Sequence, residues 1–467
     1  MWFIGQLVAL AVLGKITLKL VIYCRRVVKY RAFSYGYNPK LDYKYEFNPD
    51  YAEVAILNLK DNRLTLLSTP HTFNTAFVEI NICSSWYNFL LPSEIKMKAE
   101  GLSVFQDFEC RAKGIRYLNI SSLVQKGIKE VQFEFRGCKP KTSSVKLITY
   151  KNQNPEKERI LILSPHPDDA EIAAYGFYSS NPENTFVATI TGGEAGEMYL
   201  DGLFPNATKH AIQKGKIRSW NSISVPQLGG IAPENCINLG YFDGSLQKMY
   251  DDPKALVRSK LINTIDINLF RSKNCSHLPD SLKPESNWLS LLDDLKYLIL
   301  KVKPTIIVSP YPALDRHFDH KFTTVALIQA MKEIGYKDCQ VWLYTNHFIL
   351  TEMYPDGRQG GTISLPPYFD DKPIYFDRLY SFPLSETHQA EKSLVLDSFN
   401  DLRNNTKFSN TKTSWHDIWK EFRVKLYLKE LDYFRRAVRS NELFFVIEGE
   451  NLLHEEKYQE IVGNLAP

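Results

Sequence analysis

Two short stretches of the sequence bring histidine and aspartate together at spacings that suit metal and proton chemistry. The first, directly after an apolar segment, is Ser164-Pro-His-Pro-Asp-Asp-Ala-Glu171. Pro167 fixes its own φ and favours an extended residue before it, so the turn presents one imidazole and two carboxylates. Adjacent side chains of an extended backbone point in different directions, which predicts different purposes for Asp168 and Asp169. One can bind a cation while the other faces a substrate, although Asp169 could instead cap a helix that begins at Ala170.

The second stretch is Asp315-Arg-His-Phe-Asp-His320, which also comes just after an apolar segment. His317 and His320 are three residues apart, so at the start of a helix they project from the same face. Phe318 between them can pack inward, and Asp319 can orient an imidazole from behind. A lone histidine is usually a packing or surface residue, whereas two at this spacing indicate a binding site more strongly.

The two stretches together predict a catalytic metal centre. His166, Asp169 and His320 would supply three nitrogen and oxygen ligands and leave a position open, which is how catalytic zinc is held. Such an ion lowers the pKa of bound water towards about 7 and polarises a carbonyl oxygen. Asp168 could take the proton of the water, and His317 could stabilise the oxyanion and protonate a leaving amine. These groups are sufficient for the hydrolysis of an amide.

Several other classes of protein are disfavoured by the sequence. It contains no G-x-S-x-G, P-loop or G-x-G-x-x-G motif, which argues against serine hydrolases, P-loop NTPases and dinucleotide enzymes. A net charge of +4 over 467 residues is too slight for a nucleic-acid binder. The seven cysteines lack C-x-x-C spacing and predict free thiols in a reducing compartment, with one bridge among Cys83, Cys110 and Cys138 left open. Outside the two stretches, the histidines have no partner at ligand spacing and are predicted to fill core or surface positions: His71, His210, His277, His347, His388, His416 and His454.

Strands and helices alternate after residue 158, and this pattern predicts the scaffold of the site. The polar segment 151–158 contains Pro155 and is predicted to be a linker. Beyond it, strands are predicted at 159–164, 185–191, 236–239, 305–309 and 340–344, and helices at 169–179, 209–225, 288–302 and 321–334. This alternation is typical of an α/β fold with a doubly wound, mostly parallel sheet. Ligands of such sheets bind at the carboxyl ends of strands, where both His-Asp stretches fall. A helical tail, at 386–402 and 415–438, is predicted to cover the sheet.

The segment before the linker has the two-residue alternation of β-structure. Strands are predicted at 53–59, 63–67, 76–82, 94–98, 130–135 and 144–149. Several short alternating strands with few helical periodicities favour a β-sandwich. We therefore expect a β-sandwich accessory domain at 40–150, followed by the α/β domain at 159–467.

The N-terminal 30 residues predict a membrane-associated helix. An apolar run from Trp2 to Leu13 is interrupted by Lys15 and Lys19, and the cluster Arg25, Arg26, Lys29 and Arg31 comes next. A signal peptide carries its positive charge before the apolar run, so the segment is interpreted as an anchor or an interfacial helix. The basic cluster predicts that the chain beyond it faces the cytoplasm. A helix buried in the protein itself stays an alternative.

Four motifs, in the same order along the chain, resemble the PIG-L/LmbE-like zinc de-N-acetylases. They are Pro165-His-Pro-Asp-Asp-Ala-Glu171, Thr191-Gly-Gly-Glu-Ala-Gly196, Leu239-Gly-Tyr-Phe-Asp-Gly244 and His317-Phe-Asp-His320. The resemblance covers about residues 159–344 and implies a Rossmann-like fold. It also implies hydrolysis of an N-acetyl group on glucosamine by one divalent ion, zinc or iron(II).

The resemblance implies a role for each matching residue. His166, Asp169 and His320 would be the metal ligands, Asp168 the general base and His317 the imidazole that stabilises the oxyanion. Arg218 and Asp243 would contact the sugar or its aglycone, with a surface or ion-pair arginine as the alternative for Arg218. Glu194 would have a role in the pocket, with a helix cap or a loop hydrogen bond as the alternative. The chain departs from the family pattern with Asn221 in place of a Glu, Asp315 in place of the Tyr that some members have, and an insertion at 249–287. These departures concern the aglycone side of the pocket.

The sequence thus predicts a membrane-associated, cytoplasm-facing deacetylase of N-acetylglucosamine in a glycolipid, lipopolysaccharide or surface-polysaccharide precursor. The expected partners are this glycan and, through the N-terminus, the membrane surface, whereas nucleic acid is not expected. Two alternatives stay open. One is a zinc amidase that acts on a non-glycan or thiol-conjugate amide, and the other is a non-catalytic glycan-binding protein.

Overall fold

The structure is a computed structural model and describes residues 13–14, 16–17, 35–66, 73–89, 92–196, 199–399, 401–402 and 436–465. Most of the predicted membrane segment at 1–30 and of the tail helix at 415–438 lies outside these residues. Among the residues that are described, no helix has the length and apolar character needed to cross a bilayer. The described cysteines are free thiols: Cys83, Cys110, Cys138, Cys236, Cys275 and Cys339.

The described part of the β-rich region folds into two antiparallel sheets. Its strands are β1 (Ala52–Asn58), β2 (Arg63–Thr65), β3 (Thr75–Ser84), β4 (Ser93–Ala99), β5 (Leu102–Phe108), β6 (Lys113–Asn119), β7 (Glu130–Arg136), β8 (Cys138–Pro140) and β9 (Ser144–Tyr150). One sheet has the order β1-β9-β3-β6, with β8 beside β3, and the other has the order β2-β7-β4-β5. A short helix, α1 (Ser121–Val124), comes after β6.

Both sheets contribute side chains to one apolar cluster, which includes Ile80 of β3 and Ile95 of β4. Two packed antiparallel sheets are what a β-sandwich requires, and the classification itself stays a prediction. The sequence did not predict β5 and β6, because polar residues in these strands are buried and interrupt the alternation. Gln106 of β5 is 5% exposed, and Arg116 of β6 is fully buried beside Glu109.

The α/β region supplies seven strands and most of the described helices. In chain order, they are β10 (Ile160–Ser164), α2 (Asp169–Ser179), β11 (Thr185–Thr191), α3 (Ala207–Ser224), β12 (Cys236–Tyr241), α4 (Leu246–Asp251), α5 (Asn268–Arg271), α6 (Trp288–Val302), β13 (Ile306–Pro310), α7 (Phe318–Ile334), β14 (Gln340–Tyr344), β15 (Arg378–Pro383), α8 (Glu386–Asp397), β16 (Asn441–Glu448), α9 (Gly449–Leu452) and α10 (Glu455–Val462). The strand and helix bounds predicted at 185–191, 340–344, 169–179 and 288–302 are confirmed.

The seven strands form one sheet with the order β12-β11-β10-β13-β14-β16-β15. The first five are parallel, and β16 pairs antiparallel with both β14 and β15. The order reverses between β10 and β13, so the loops that leave their carboxyl ends diverge and leave a crevice. Both His-Asp stretches come directly after these two strands. The predicted mostly parallel α/β sheet is therefore confirmed, and its reversal point lies under the candidate site.

Apolar helices cover both faces of the sheet. Along β10, Leu161 and Leu163 belong to one core cluster, which also contains residues of α6 and α7. Ile160 and Ile162 point the other way and pack with residues of α2. A central parallel strand has to be apolar on both sides for this reason, which explains its uninterrupted apolar sequence.

The helix that carries Asp169 is broken within its length. Ala174 of α2 has a non-helical φ of −143°. The backbone N–H groups of Gly176 and Phe177 donate to the carboxylate of Glu442 on β16, each at 2.9 Å. Lys392 of α8 donates to the same carboxylate at 2.7 Å and to the carbonyl oxygen of Ile172 at 2.8 Å. This buried ion pair satisfies backbone groups that the break releases.

The β-rich region packs directly against the α/β region. Phe77 and Ile148 of its first sheet belong to the same buried cluster as Leu379 of β15. Asn119 of β6 donates to the hydroxyl of Ser381 on β15 at 2.9 Å. The two regions therefore share apolar and polar contacts at the edge of the seven-stranded sheet.

Candidate active site

The structure brings the three predicted metal ligands together at the crevice. Nδ1 of His166 lies 3.3 Å from Oδ2 of Asp169, and Nε2 of His320 lies 3.1 Å from the same oxygen. The two imidazole nitrogens are 3.2 Å apart. All three side chains are buried, with exposed fractions of 8%, 1% and 0% for the whole residues in chain order.

Each of the two imidazoles contacts a carboxylate through its other nitrogen. Nδ1 of His320 lies 3.0 Å from Oδ2 of Asp315. Nε2 of His166 lies 3.2 Å from Oδ2 of Asp319, which also accepts from the backbone N–H of Gly244. Asp319 therefore lies behind an imidazole, in the position that the sequence predicts. A carboxylate on the far nitrogen fixes the ring and leaves the near nitrogen as a lone-pair donor for a metal.

The arrangement of the three atoms fits a divalent cation. With the far nitrogens bonded to carboxylates, Nδ1 of His166, Nε2 of His320 and Oδ2 of Asp169 all face one another with lone pairs. Ligands of a tetrahedral zinc ion, at about 2.0–2.2 Å from the metal, are about 3.3 Å apart, which matches the distances found here. Three acceptors this close repel one another unless a cation or a proton lies between them.

The charges around these atoms favour a cation as well. Burial alone would lower the pKa of His320, but Asp169 and Asp315 outweigh it and raise the pKa to about 10. A negative potential that favours a proton on this ring also favours a metal ion. Three overlapping groups here have ligand atoms within 4.8 Å of one another: His166-His317-His320, Asp169-His320-His347 and His166-Asp243-Asp319.

Asp168 lies beside the ligand set with a different orientation from Asp169. Its φ is +130°, a conformation that is uncommon for any residue with a side chain and is found mainly at functional sites. Its side chain makes no cap to the helix, and the hydroxyl of Ser164 instead accepts from the N–H of Ala170 at 3.1 Å. Burial raises the pKa of Asp168 to about 6, although Arg218 opposes this. A carboxyl of this kind is suited to proton transfer near neutral pH.

His317 is the first residue before α7 and differs from the other two histidines. Its Nδ1 accepts from the backbone N–H of Asp319 at 3.3 Å, which leaves Nε2 as the protonated nitrogen. Its ring lies 4.6 Å from the ring of His166 and 5.1 Å from that of His320, between centroids. Burial, then the two neighbouring imidazoles, lower the pKa of His317 to about 4. The side chain is therefore a neutral hydrogen-bond donor that faces the site.

Arg218 connects the candidate base to the helical tail. On α3, its Nη2 donates to the carbonyl oxygen of Pro167 at 2.8 Å and to Oδ1 of Asp168 at 3.2 Å. Its Nη1 pairs with the carboxylate of Asp401. Arg218 is thus engaged in holding the loop of Asp168, and contact with a substrate stays a prediction.

The carboxylates of Glu194 and Asp243 bind neighbouring loops. Oε1 of Glu194 accepts from the hydroxyl of Ser259 at 3.0 Å, and Oε2 accepts from the N–H of Asp243 at 3.1 Å. Asp243 in turn accepts from the N–H of Ala195 at 3.3 Å and lies 3.3 Å from Nε2 of His166. Glu194 therefore makes the loop hydrogen bonds of the alternative interpretation, and substrate contact stays a prediction for both residues.

Sequence reasoning missed residues of the loop after β14. Nδ2 of Asn346 donates to Oδ1 of Asp169 at 2.8 Å and fixes the oxygen that faces away from the imidazoles. His347 was predicted to be a filling residue without a partner at ligand spacing, and its ring lies 5.1 Å from that of His320 between centroids. The available signal was positional: β14 lies beside β13, so the loops after the two strands meet at one edge.

The site therefore consists of buried imidazoles and carboxylates at the reversal point of a mostly parallel sheet, with a candidate metal site among them. Residues 161–331 match the family model described as GlcNAc-PI de-N-acetylase, or PIG-L. The resemblance seen in the motifs is thereby confirmed over residues 161–331. None of the curated proteins compared with the chain matches it.

Solved structures of several deacetylases are similar to this chain at low identity. The A40926 pseudoaglycone deacetylase Dbv21 is 15% identical with a TM-score of 0.32, over 63% of this chain and 98% of that one. The zinc-inhibited form of the teicoplanin deacetylase Orf2 is 18% identical with a TM-score of 0.32, over 62% and 98%. GalB, the 4-carboxy-2-hydroxymuconate hydratase from Pseudomonas putida KT2440, is 13% identical with a TM-score of 0.28, over 62% and 95%. These similarities are too weak to assign a fold, so the assignment depends on the strand order and the family match.

Proposed function

We propose that this protein is a metal-dependent hydrolase that removes the N-acetyl group from an N-acetylglucosamine residue. The observation that carries the proposal is the convergence of His166, Asp169 and His320, with ligand atoms 3.1–3.3 Å apart. The family match at residues 161–331 supports de-N-acetylase activity. The reaction is hydrolysis of a linear amide. The C–N bond breaks, the acyl carbon gains the hydroxyl of water and becomes acetate, and the nitrogen gains the proton and leaves as a free amine.

Each residue of the site has its own role in this reaction. His166, Asp169 and His320 would hold the ion, for which zinc and iron(II) are the candidates. When bound, such an ion supplies Lewis-acid activation of water and of a carbonyl oxygen. Asp168, which is fixed by Arg218 at 3.2 Å, receives a proton from the attacking water on its carboxylate.

His317 acts on the carbonyl oxygen of the substrate rather than on the attacking water. The bond from the N–H of Asp319 to Nδ1 keeps the proton on Nε2, where it can donate to the oxygen that becomes negative. A proton has to reach the departing nitrogen before the C–N bond breaks, and Asp168, which holds the proton taken from the water, supplies it. Asn346, which donates to Oδ1 of Asp169, keeps this ligand in place during the change of charge.

The substrate we propose is a glycolipid, lipopolysaccharide or surface-polysaccharide precursor at the cytoplasmic face of a membrane. The apolar run from Trp2 to Leu13 and the basic residues after it support an attachment to the bilayer. Attachment raises the effective concentration of a lipid-linked substrate. The β-rich region, as a β-sandwich accessory domain, would lie between this segment and the catalytic region in the chain.

The test is to measure acetate release together with metal content on the full-length protein. Purified protein would be offered N-acetylglucosaminyl-phosphatidylinositol, a lipid-linked N-acetylglucosamine and free N-acetylglucosamine. We expect release from a lipid-linked form, loss of activity after treatment with a chelator, and recovery with zinc or iron(II). A protein that binds metal but releases acetate from none of these would contradict the glycan substrate. A protein that binds no divalent ion would contradict the proposed chemistry as a whole.

A further inference from the structure

We propose that His347 is an additional metal ligand, which joins Asp169 and His320 on the divalent ion and leaves the fifth position of a five-coordinate ion for water. The inference rests on the proposed function in one respect only, since both require a metal centre in this crevice. It goes beyond the three ligands that the sequence motifs supply, because His347 belongs to none of the motifs and lies outside residues 161–331.

The loop that carries His347 is anchored to the site at two points. Asn346 donates from its side chain to Oδ1 of Asp169 at 2.8 Å. The backbone N–H of His347 contacts Oδ2 of Asp315 at 3.3 Å, the same oxygen that lies 3.0 Å from Nδ1 of His320. The loop therefore shares partners with two of the predicted ligands, and the position of His347 is fixed relative to both.

The imidazole of His347 lies within reach of the ligand set. One nitrogen of its ring, one of His320 and one oxygen of Asp169 all lie within 4.8 Å of one another. Neighbouring ligands of one zinc ion are about 3.3 Å apart, so the ring nitrogen has to move by at most about 1.5 Å to become a ligand. A small rotation of the ring therefore closes the difference. The side chain of His347 is 31% exposed, compared with 10% for His166 and 0% for His320, so it has room for this rotation.

The contacts of the four histidines divide them into two kinds. His166 and His320 each face a carboxylate with one ring nitrogen and the site with the other, and Nδ1 of His347 also lies near a carboxylate. The carboxylates are Asp319 at 3.2 Å, Asp315 at 3.0 Å and Glu352 at 3.6 Å. His317 differs, because its Nδ1 accepts from a backbone N–H. A carboxylate behind the imidazole is the usual arrangement of a metal-binding histidine, so the pattern places His347 with the ligands.

Glu352 is itself held by two cations. Its Oε1 lies 3.0 Å from Nη1 of Arg316, and its Oε2 lies 2.6 Å from Nη1 of Arg436. These ion pairs hold the carboxylate close to Nδ1 of His347. With Nδ1 beside this carboxylate, Nε2 is the nitrogen of His347 that can bind a cation.

The experiment measures metal binding rather than activity. His347→Gln and the control His277→Gln, at an exposed histidine away from the site, would be prepared as full-length proteins. Zinc affinity would be measured by competition with a chromogenic chelator, and the Co²⁺-loaded proteins by visible absorption. We expect His347→Gln to bind zinc at least about tenfold more weakly and to give a changed Co²⁺ spectrum, because loss of even an outer partner costs about 10- to 100-fold. The control should match the parent in both.

Two further results keep the inference separate from the proposed function. Glu352→Gln, which leaves the imidazole in place, should weaken zinc binding by a smaller factor than His347→Gln. Unchanged affinity and an unchanged Co²⁺ spectrum in His347→Gln, in a variant with the parent's Tm, would overturn the role of His347 and leave the proposed function intact. A parent protein that binds neither zinc nor Co²⁺ would instead contradict the proposed function.

Discussion

Nδ1 of His166 lies 3.2 Å from Nε2 of His320, although 154 positions separate the two residues in the chain. Neither nitrogen has a proton to offer the other if each ring donates to its own carboxylate, Asp319 or Asp315. Oδ2 of Asp169 completes a triangle of lone pairs. Three acceptors held this close are stabilised by a proton or a metal cation between them.

Replacement of Asp169 by Asn should remove the metal. The substitution takes away a charged ligand oxygen while the volume stays the same. Loss of a group that only contacts a metal ligand lowers metal affinity by about 10- to 100-fold. Because Asp169 is itself a ligand, we expect a larger fall in zinc affinity, with acetate release falling in parallel. Metal analysis after gel filtration checks this. Full metal content in Asp169→Asn would show that the ion does not use this carboxylate.

Replacement of Asp168 by Asn should lower the activity and leave the metal bound. The carboxylate that would take the proton is lost, so kcat is expected to fall by about 10²- to 10⁴-fold. Metal content should stay near that of the parent, because Asp168 contacts Arg218 rather than the imidazole nitrogens that face the ion. Loss of metal in this variant would mean that the roles of the two aspartates are exchanged.

His317→Gln tests the donor on the other side of the reaction. Gln has an N–H donor but does not hold it where Nε2 of the imidazole lies, so the oxyanion is less well stabilised and kcat should fall by about 10²- to 10³-fold. KM and zinc affinity are expected to change little. A matched comparison is His210→Gln, since His210 accepts from the N–H of Leu200 at 3.1 Å and is outside the site. Equal kcat in His317→Gln and the parent would exclude His317 from the reaction.

Glu194 should make the folding stability depend on pH. Burial, then Asp243, raise the pKa of Glu194 from 4.5 to about 8. The folded protein therefore holds this proton more tightly than the unfolded chain, so its contribution to stability is full below about pH 4.5 and is lost as the pH rises through about 8. Glu194→Gln removes the titration, so the Tm of the variant relative to the parent should increase from pH 5 to pH 8.

The control for this prediction is Glu183→Gln, at an exposed glutamate of the same region. Its Tm should run parallel to that of the parent across the same pH range. Parallel curves for Glu194→Gln as well would show that the buried carboxyl does not change its protonation between the folded and unfolded states.

Lys392→Met should destabilise the protein strongly. The side chains of Lys392 and Glu442 are both 1% exposed, and removal of one partner leaves a buried carboxylate without its cation. Such changes cost about 3–5 kcal/mol, which denaturant unfolding can measure. Lys332→Met is the comparison, because Lys332 pairs with an 83% exposed Glu455 and should cost at most about 1 kcal/mol. Similar losses in both variants would contradict the role given to the buried pair.

The sequence predicts the central strands and the ligand set because their signals are local. The uninterrupted apolar run at Ile160–Ser164 identifies a strand buried on both faces, and the two His-Asp stretches come directly after strands. In contrast, β15 and β16 were not predicted. They pair with each other although about 60 residues separate Pro383 from Asn441, its partner in the register, and no local pattern specifies such a pairing.

His347 was missed for a related physical reason. Its closeness to His320 comes from the pairing of β13 with β14, in which Pro310 lies opposite Tyr344. Only the lateral order of the strands brings the two loops together, and the spacing of residues along the chain does not contain that order. Asn346, which binds Asp169, was missed in the same way.

The cluster that joins Phe77 and Ile148 to Leu379 has a consequence for attempts to shorten this protein. A fragment that begins near Arg159 would expose the apolar side chains that Phe77 and Ile148 now cover. It would also lose the hydrogen bond from Asn119 to Ser381. Such a surface favours self-association. Work on the catalytic half is therefore best done with the preceding hundred residues retained. The segment between the two regions has the sequence of a linker, but the regions on either side of it pack against each other.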